Sequence, residues 1–427
     1  MNLSAAALWA YRGAGYVAAP LAGPHLSKRA ARGKEDQARM AEKQGYASRT
    51  KDDFSNLSGQ GPIWLHAVSV GESVAALALA ERIIGDGFNI VMTTATPASA
   101  ARVEASSLPL IHQYAPLDAP PFVKRFLSHW QPKAALFTEA EVWPTTLHAL
   151  HAARVPHAHI NARISERAFR RWSKLPFAKP IFRLVGTALA QSTPDGERLS
   201  ALGVGDVTVT GNLKFDAPLV PVDDAAVSAL QAAIATRPFW LAASIHPGEV
   251  DAVLNTHQTL KTRWPELLTL VAPRHSETAD LVEEKAATDG LSVSRRGHGA
   301  LPTGDIYLVD TLGELQTFYT VSPFAFVGGS LVDLKGHNPA EPAACQCAII
   351  TGKSVGPMHQ PFLEAGAATL VTDEAGLIEA VANHLSAPEH ATRQAAQAAS
   401  VLAQERGALN RTYDALGPLL YEASRRS

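Results

Sequence analysis

The sequence predicts an α/β protein of two domains, each a parallel sheet covered on both faces by helices. Three observations predict it. From residue 61 onward, short apolar runs alternate with longer helix-like runs, the pattern of repeated strand–helix–strand units. The alternation stops in a stretch with three prolines, "KFDAPLVPVDDAAVSALQAAIATRP", and then restarts. At 427 residues the chain exceeds what one ordinary core organises.

The elements follow in order. In the first half, "PIWLHAVS", "NIVMTTAT", "LIHQYAPL", "KAALFTEA", "HAHINARIS", "ALAQS" and "VTVTGNL" read as strands. Helices fall between them, such as residues 73–85 and "APPFVKRFLSHW". In the second half, "FWLAASI", "LLTLVAP", "LSVSRR", "DIYLVD", "FAFVGG" and "CAIITG" are the strand candidates. This gives two Rossmann-like domains, at residues 31–216 and 217–427, after an N-terminal segment at 1–30. Open parallel sheets bind ligands beyond the carboxyl ends of their strands, here in the cleft between the halves.

Composition narrows the function. The chain is 46% hydrophobic and 18% charged, with a formal net charge of -2. That describes a globular protein without the broad positive field of a general nucleic-acid binder. Two cysteines, Cys345 and Cys347, supply neither a disulfide framework nor a zinc array. They read as small buried residues in a reducing compartment.

The N-terminus "MNLSAAALWAYRGAGYVAAPLAGPHL" is apolar but interrupted by Arg12, Gly13, Gly15 and Pro20. Trp9, Tyr11 and Tyr16 suit a lipid interface, and "SKRAARGK" behind them suits anionic headgroups. A helix packed on its own domain is the alternative.

Four polar clusters fall at expected strand ends. "HAVSVGES" places Ser69 and Glu72 where a helix begins. Glu72 is either a helix-capping carboxylate or a proton acceptor. "FTEAEVWP" brings Glu139, Glu141 and Trp143, which fit either sugar hydroxyls and a ring face or the cap of a helix starting at Pro144. "LVAPRH" offers Pro273 and Arg274, a phosphate ligand or a surface ion pair. "FVGGSLVDLKGHNPAEPA" offers Gly328, Gly329, Ser330, Lys335, His337, Asn338 and Glu341. Its glycines let backbone approach a ligand, with backbone N–H groups for phosphate and a Glu for ribose. "AASIHPGE" adds Ser244, His246 and Glu249, and "GNLKFD" adds Asn212 and Lys214 as candidate cleft contacts.

Taken in order, "RGKED", "HAVSVGE", "TEAEVWP", "NARIS", "GNLKFD", "APRH" and "GGSLVDLKGHNPAEPA" resemble the 3-deoxy-D-manno-octulosonic acid (Kdo) transferases of lipopolysaccharide assembly. The resemblance spans nearly the whole chain. It implies a GT-B fold, two Rossmann-like domains facing a central cleft. It implies inverting transfer of Kdo from CMP-Kdo to a lipid A precursor, lipid IVA, at the cytoplasmic face of the inner membrane. It implies no cofactor, no metal and no nucleic acid. Glu72 matches the family's general base and Glu139 its other important acid. Pro273, Arg274, Gly328, Gly329, Ser330, Asn338 and Glu341 match its CMP-binding segments. A sugar-nucleotide epimerase of the same fold is the rival reading, and a non-catalytic nucleotide-sugar binder a third.

Overall fold

A computed structural model describes residues 3–54, 61–217 and 222–426. Two positions of the expected N-terminal segment and residues 218–221 of the expected linker lie outside the described residues. The chain divides into two compact units. The first is Met1–Pro218 with Glu405–Ser427, and the second is Leu219–Gln404.

The first unit holds β1 (Ile63–His66), β2 (Ile90–Thr94), β3 (Ile111–Tyr114), β4 (Ala134–Thr138), β5 (His157–Ala162), β6 (Thr187–Ala190) and β7 (Asp206–Val209). All pair in parallel in the order β3-β2-β1-β4-β5-β6-β7. β1, β2, β4 and β5 are buried along their whole length. Strands covered on both faces favour continuous apolar runs, as in residues 63–65 and 134–137, whereas β5 alternates buried polar His157, His159 and Asn161 with apolar residues.

The second unit repeats the plan. It holds β8 (Phe239–Ile245), β9 (Leu268–Pro273), β10 (Val293–Arg295), β11 (Ile306–Leu308), β12 (Phe324–Val327), β13 (Ala348–Thr351) and β14 (Ala368–Leu370). The order is β10-β11-β9-β8-β12-β13-β14, again parallel. The seventh strand was not expected. β14 has three residues at the sheet edge and is only partly covered, so its sequence carries little apolar signal.

The second domain was expected to run to residue 427, but the chain crosses back. The helix Ala408–Arg425 packs Leu416, Leu420 and Ala423 into the core of the first unit, with Leu79, Ile83 and Leu213. Asp216 accepts from the backbone N–H of Gly407 at 2.7 Å and of Leu409 at 2.6 Å. That carboxylate satisfies donors that the start of a helix leaves free.

At the other end, the helix Leu3–Ala18 packs near the first sheet's helices. Tyr11 Oη donates to Asp118, and a side chain on Gly15 would collide with Pro120. Trp9 and Val17 are 69% and 79% exposed, and Tyr16 and Leu21 are also exposed. Among the described residues no helix is long and apolar enough to cross a membrane. The "RGKED" segment is held down by Glu35, which is buried and accepts from Arg29 Nε at 2.6 Å and from Lys43 Nζ.

Candidate functional site

Each sheet has one topological switch point, where neighbouring strands send their connections in opposite directions. In the first sheet it lies between β1 and β4, and in the second between β8 and β12. A crevice opens there beyond the strand ends. Glu72 follows β1, Glu139 follows β4, His246 follows β8 and Gly328 follows β12. The topology thus delivers the polar clusters to the two places where such sheets bind ligands.

In the first unit, Ser69 is the N-cap of the helix Val70–Gly85, and its hydroxyl accepts from the Glu72 N–H at 3.3 Å. The Glu72 carboxylate reaches back and accepts from Val68 N–H at 3.0 Å and Ser69 Oγ at 2.7 Å. Thr138, at the end of β4, donates to it from Oγ1 at 2.8 Å. Glu72 therefore does cap the helix. A carboxylate has about four lone-pair positions; three donors leave one, held in fixed direction, for a further proton.

Glu139 is the first residue past β4 and has a φ of 53°. That left-handed conformation is uncommon outside glycine and marks a residue held against its preference. Its carboxylate pairs with Lys214 Nζ at 2.5 Å. Lys214 is positioned through two asparagines. Asn161, itself at φ 50°, accepts from Leu213 N–H at 2.9 Å, and Asn212 accepts from Lys214 N–H at 3.1 Å. "NARIS" and "GNLKFD" are thus one support for one ion pair.

Glu139 and Glu141 do not cap the helix Pro144–Ala152. Asp118 does so, accepting from Thr145 N–H at 3.0 Å and Thr146 N–H at 2.8 Å. Glu141 accepts from Trp143 Nε1 at 2.8 Å. Burial pushes its carboxyl up, and the nearby charges of Glu72 and Glu139 add to the effect, against that hydrogen bond. Three carboxylates thus lie at the neighbouring ends of β1 and β4. Next to Glu139 is a cavity of about 130 Å³ lined by Val142, Ile164, Trp172 and Phe182 and by the arginines 163 and 171.

In the second unit the controlling residue is Glu249. It is fully buried. Its carboxylate accepts from the backbone N–H groups of His246 at 3.1 Å, Gly329 at 2.8 Å, Ser330 at 3.0 Å and Leu331 at 3.0 Å. This corrects the expected chemistry of the glycine turn. The amides of Gly329 and Ser330 are already engaged, and the Gly328 N–H donates to Ala243 at 2.8 Å. Ser330 is also fully buried, with Oγ donating to Val327 O at 2.6 Å. The missing side chains let the turn pack closely against the protein itself. A Cβ on Gly328 would lie 2.6 Å from Ser244 O and 2.9 Å from Glu249 Oε2. The sequence showed Glu249 only as a polar neighbour of Ser244 and His246. Its link to a turn 80 residues away had no local signal.

Around that turn, Ser244 is buried with a φ of 57°, at a break in the pairing of β8 with β9. Arg274 follows Pro273 at the end of β9, its N–H donating to Ile245 O at 3.0 Å. Its exposed guanidinium has no ion-pair partner among the described residues. Asn338 accepts from Ala340 N–H at 3.0 Å and donates to Glu341 at 3.2 Å. Burial raises the Glu341 carboxyl, opposed by the Asn338 hydrogen bond and the Arg274 charge. The N–H groups of Gly336 and His337 donate to Gly329 O and Gly328 O, folding the loop over the turn. Lys335, at φ 65°, stays exposed on that loop.

Comparison with known proteins sets the chain in a family. Residues 29–217 match the family model described as 3-deoxy-D-manno-octulosonic-acid transferase (kdotransferase). A 3-deoxy-D-manno-octulosonic acid transferase of Haemophilus influenzae is 34% identical over 400 residues, covering 90% of this chain and 91% of that one. The chain belongs to the Kdo transferase family. A further relative of the same name, from Bordetella pertussis, is 32% identical over 374 residues, 83% of this chain and 86% of its own. Solved structures share the fold of this Kdo transferase family member. A glycosyltransferase from Rickettsia africae has a TM-score of 0.58 at 12% identity, covering 86% of this chain and all of that one. A UDP-GlcNAc 2-epimerase from Neisseria meningitidis, bound to UDP-GlcNAc, has a TM-score of 0.55 at 12% identity over 84% of this chain. The Kdo transferase chain therefore has the GT-B-type α/β architecture expected of it, and the fold by itself does not separate transferase from epimerase.

Proposed function

We propose that this member of the Kdo transferase family transfers Kdo from CMP-Kdo to a lipid A precursor in lipopolysaccharide synthesis, with release of CMP and inversion at the anomeric carbon. Family membership is the observation that carries the reaction class. In this reading the second unit holds the donor. Arg274 takes the phosphate and Glu341 a ribose hydroxyl, beside the Gly328–Gly329 turn. The first unit supplies the base. Glu72, with three donors on its carboxylate, keeps one lone pair directed outward to accept the acceptor hydroxyl's proton.

The chemistry is balanced as follows. The acceptor oxygen bonds to the anomeric carbon and its proton passes to Glu72. The bond from that carbon to the phosphate oxygen breaks, and the electron pair stays on CMP. Arg274 stabilises the charge that grows there. A base on the face opposite the departing phosphate gives inversion. The Glu139–Lys214 pair orients acceptor hydroxyls beside the base. The exposed Trp9, Tyr16, Val17 and Leu21 favour attachment at the cytoplasmic surface of the inner membrane.

The test is incubation with CMP-Kdo and lipid IVA, followed by mass spectrometry of the lipid. The expected result is a mass gain of one or more Kdo units with matching CMP release. Unmodified lipid with an isomerised sugar nucleotide would support the epimerase reading instead.

A further inference from the structure

Two histidines beside the glycine turn form a pair to which the donor reading assigns no chemistry. His246 follows β8, and His337 lies in the loop after β12. Their Nε2 atoms are 2.8 Å apart. The ring planes are within 2° and the centroids are 5.1 Å apart. Nitrogens this close with centroids this far apart place the rings edge to edge in one plane. The contact is an in-line N–H···N hydrogen bond, not a face-to-face stack, so one Nε2 carries the proton and the other accepts it.

The surroundings lack an available anion. A Cβ on Gly329 would fall 3.1 Å from the His337 ring and 3.6 Å from that of His246, so the pair lies against the turn. His275 meets His246 edge-on, with centroids 5.9 Å apart at 77°. Arg274 acts on both rings, and the buried His359 acts on His337. Among the described residues, the carboxylate acting on the pair is Glu249, on the His246 side, and four backbone N–H groups already occupy it. Burial, with Arg274 and the other histidines, holds His337 down to about 4. Burial also lowers His246, against the pull of Glu249. The free protein therefore presents a neutral imidazole pair beside the cationic Arg274.

We propose that the His246–His337 pair takes up one proton when a phosphate binds at the Gly329 turn, and hands that proton to the phosphate as the sugar–phosphate bond breaks. This rests on the donor reading above. The balance closes. Donor phosphate carries one negative charge as a diester and gains a second when the carbon–oxygen bond breaks towards oxygen. The pair's added proton passes to that oxygen, CMP leaves as the monoanion, and the pair returns to neutral. The acceptor's proton is held separately by Glu72, and solvent resets both. Arg274 can stabilise the same charge but cannot give up a proton. Histidine titrates in the range where this exchange is possible.

The sign of the pH dependence follows. Phosphate raises the proton affinity of the pair, so CMP binding is tightest at low pH. It weakens as pH rises through the pair's value in the complex, by up to about tenfold per unit. Calorimetry of CMP binding to the full chain, in two buffers of different ionisation enthalpy, reads the proton directly. Between pH 7 and 8, CMP is already largely a dianion, since a phosphomonoester's second proton leaves near pH 6. The expected result is net proton uptake with CMP and none with cytidine. His246→Gln and His337→Gln are each expected to abolish the uptake, and to flatten the pH dependence to within about twofold over that unit. Melting curves of both variants establish that they fold, and either folded variant suffices. CMP binding with no buffer dependence, or with uptake unchanged in the variants, overturns the inference while leaving the donor site intact. No CMP binding at all overturns the donor reading and this inference with it.

Discussion

The carboxylate of Glu249 and the backbone N–H of Gly329 meet at 2.8 Å across the switch point of the second sheet. Together with three further amides on the same carboxylate, this contact sets the shape of the turn that the donor reading uses. Each buried amide left without its acceptor costs about 1–3 kcal/mol. Glu249→Ala is therefore expected to lower stability by about 4 kcal/mol or more and to weaken CMP binding, although the side chain itself touches no ligand in this reading. Thermal melting alongside CMP calorimetry checks it. An unchanged melting temperature would remove Glu249 from this role.

Glu72 is expected to separate capping from chemistry. In Glu72→Gln the amide N–H₂ points at one of three donors, which costs about 1 kcal/mol. The variant should fold and melt a few degrees lower. Transfer should fall by at least about 10²-fold, the low end of what a general base supplies. Transfer within a few-fold of the parent would leave Glu72 as a cap alone and point to Glu139.

The Glu139–Lys214 pair should behave as a unit. Lys214→Met and Glu139→Gln are each expected to reduce transfer, and the double variant to be no worse than the poorer single one. CMP affinity should stay unchanged in all three, because this pair belongs to the acceptor side of the proposal. Fully additive losses in the rate assay would argue that the two side chains act independently.

Acid should destabilise the first unit through buried neutral histidines. Burial holds His66 and His159 down to about 4, against an ordinary 6.5, although Glu72 and Thr93 oppose it at His66 and the hydrogen bond to Glu141 opposes it at His159. Below 6.5 the unfolded chain binds protons that the folded chain refuses, so stability falls with pH from 6.5 down to about 4 and then levels for these two groups. Denaturant unfolding at steps across that window is expected to show the decline. His159→Gln should shrink it, and a flat profile would contradict the neutral, buried assignment.

The exposed N-terminal aromatics give the surface prediction. Trp9→Ser with Tyr16→Ser is expected to shift the protein from anionic vesicles to the supernatant in low-salt sedimentation. CMP binding should not change. Equal sedimentation of parent and variant would mean that these side chains do not carry the attachment.

Much of the architecture was determined locally. Strands such as Phe324–Val327 are continuous apolar runs because both faces are buried, and such a run is visible without knowing its neighbours. Ser69 and Glu72 were likewise readable as a helix start, because an N-cap hydrogen bond spans only four residues. The tertiary structure alone decided the rest. It placed Glu249 under the glycine turn, brought Asn161 and Asn212 together to aim Lys214 at Glu139, and returned the last helix to the first unit. It also showed that Asp118, not Glu139 or Glu141, caps the helix at Pro144. Each of these is a side-chain contact between residues brought together by strand order. Strand order depends on which connections cross which face of a sheet, and that is a property of the assembled chain, not of any local stretch of it.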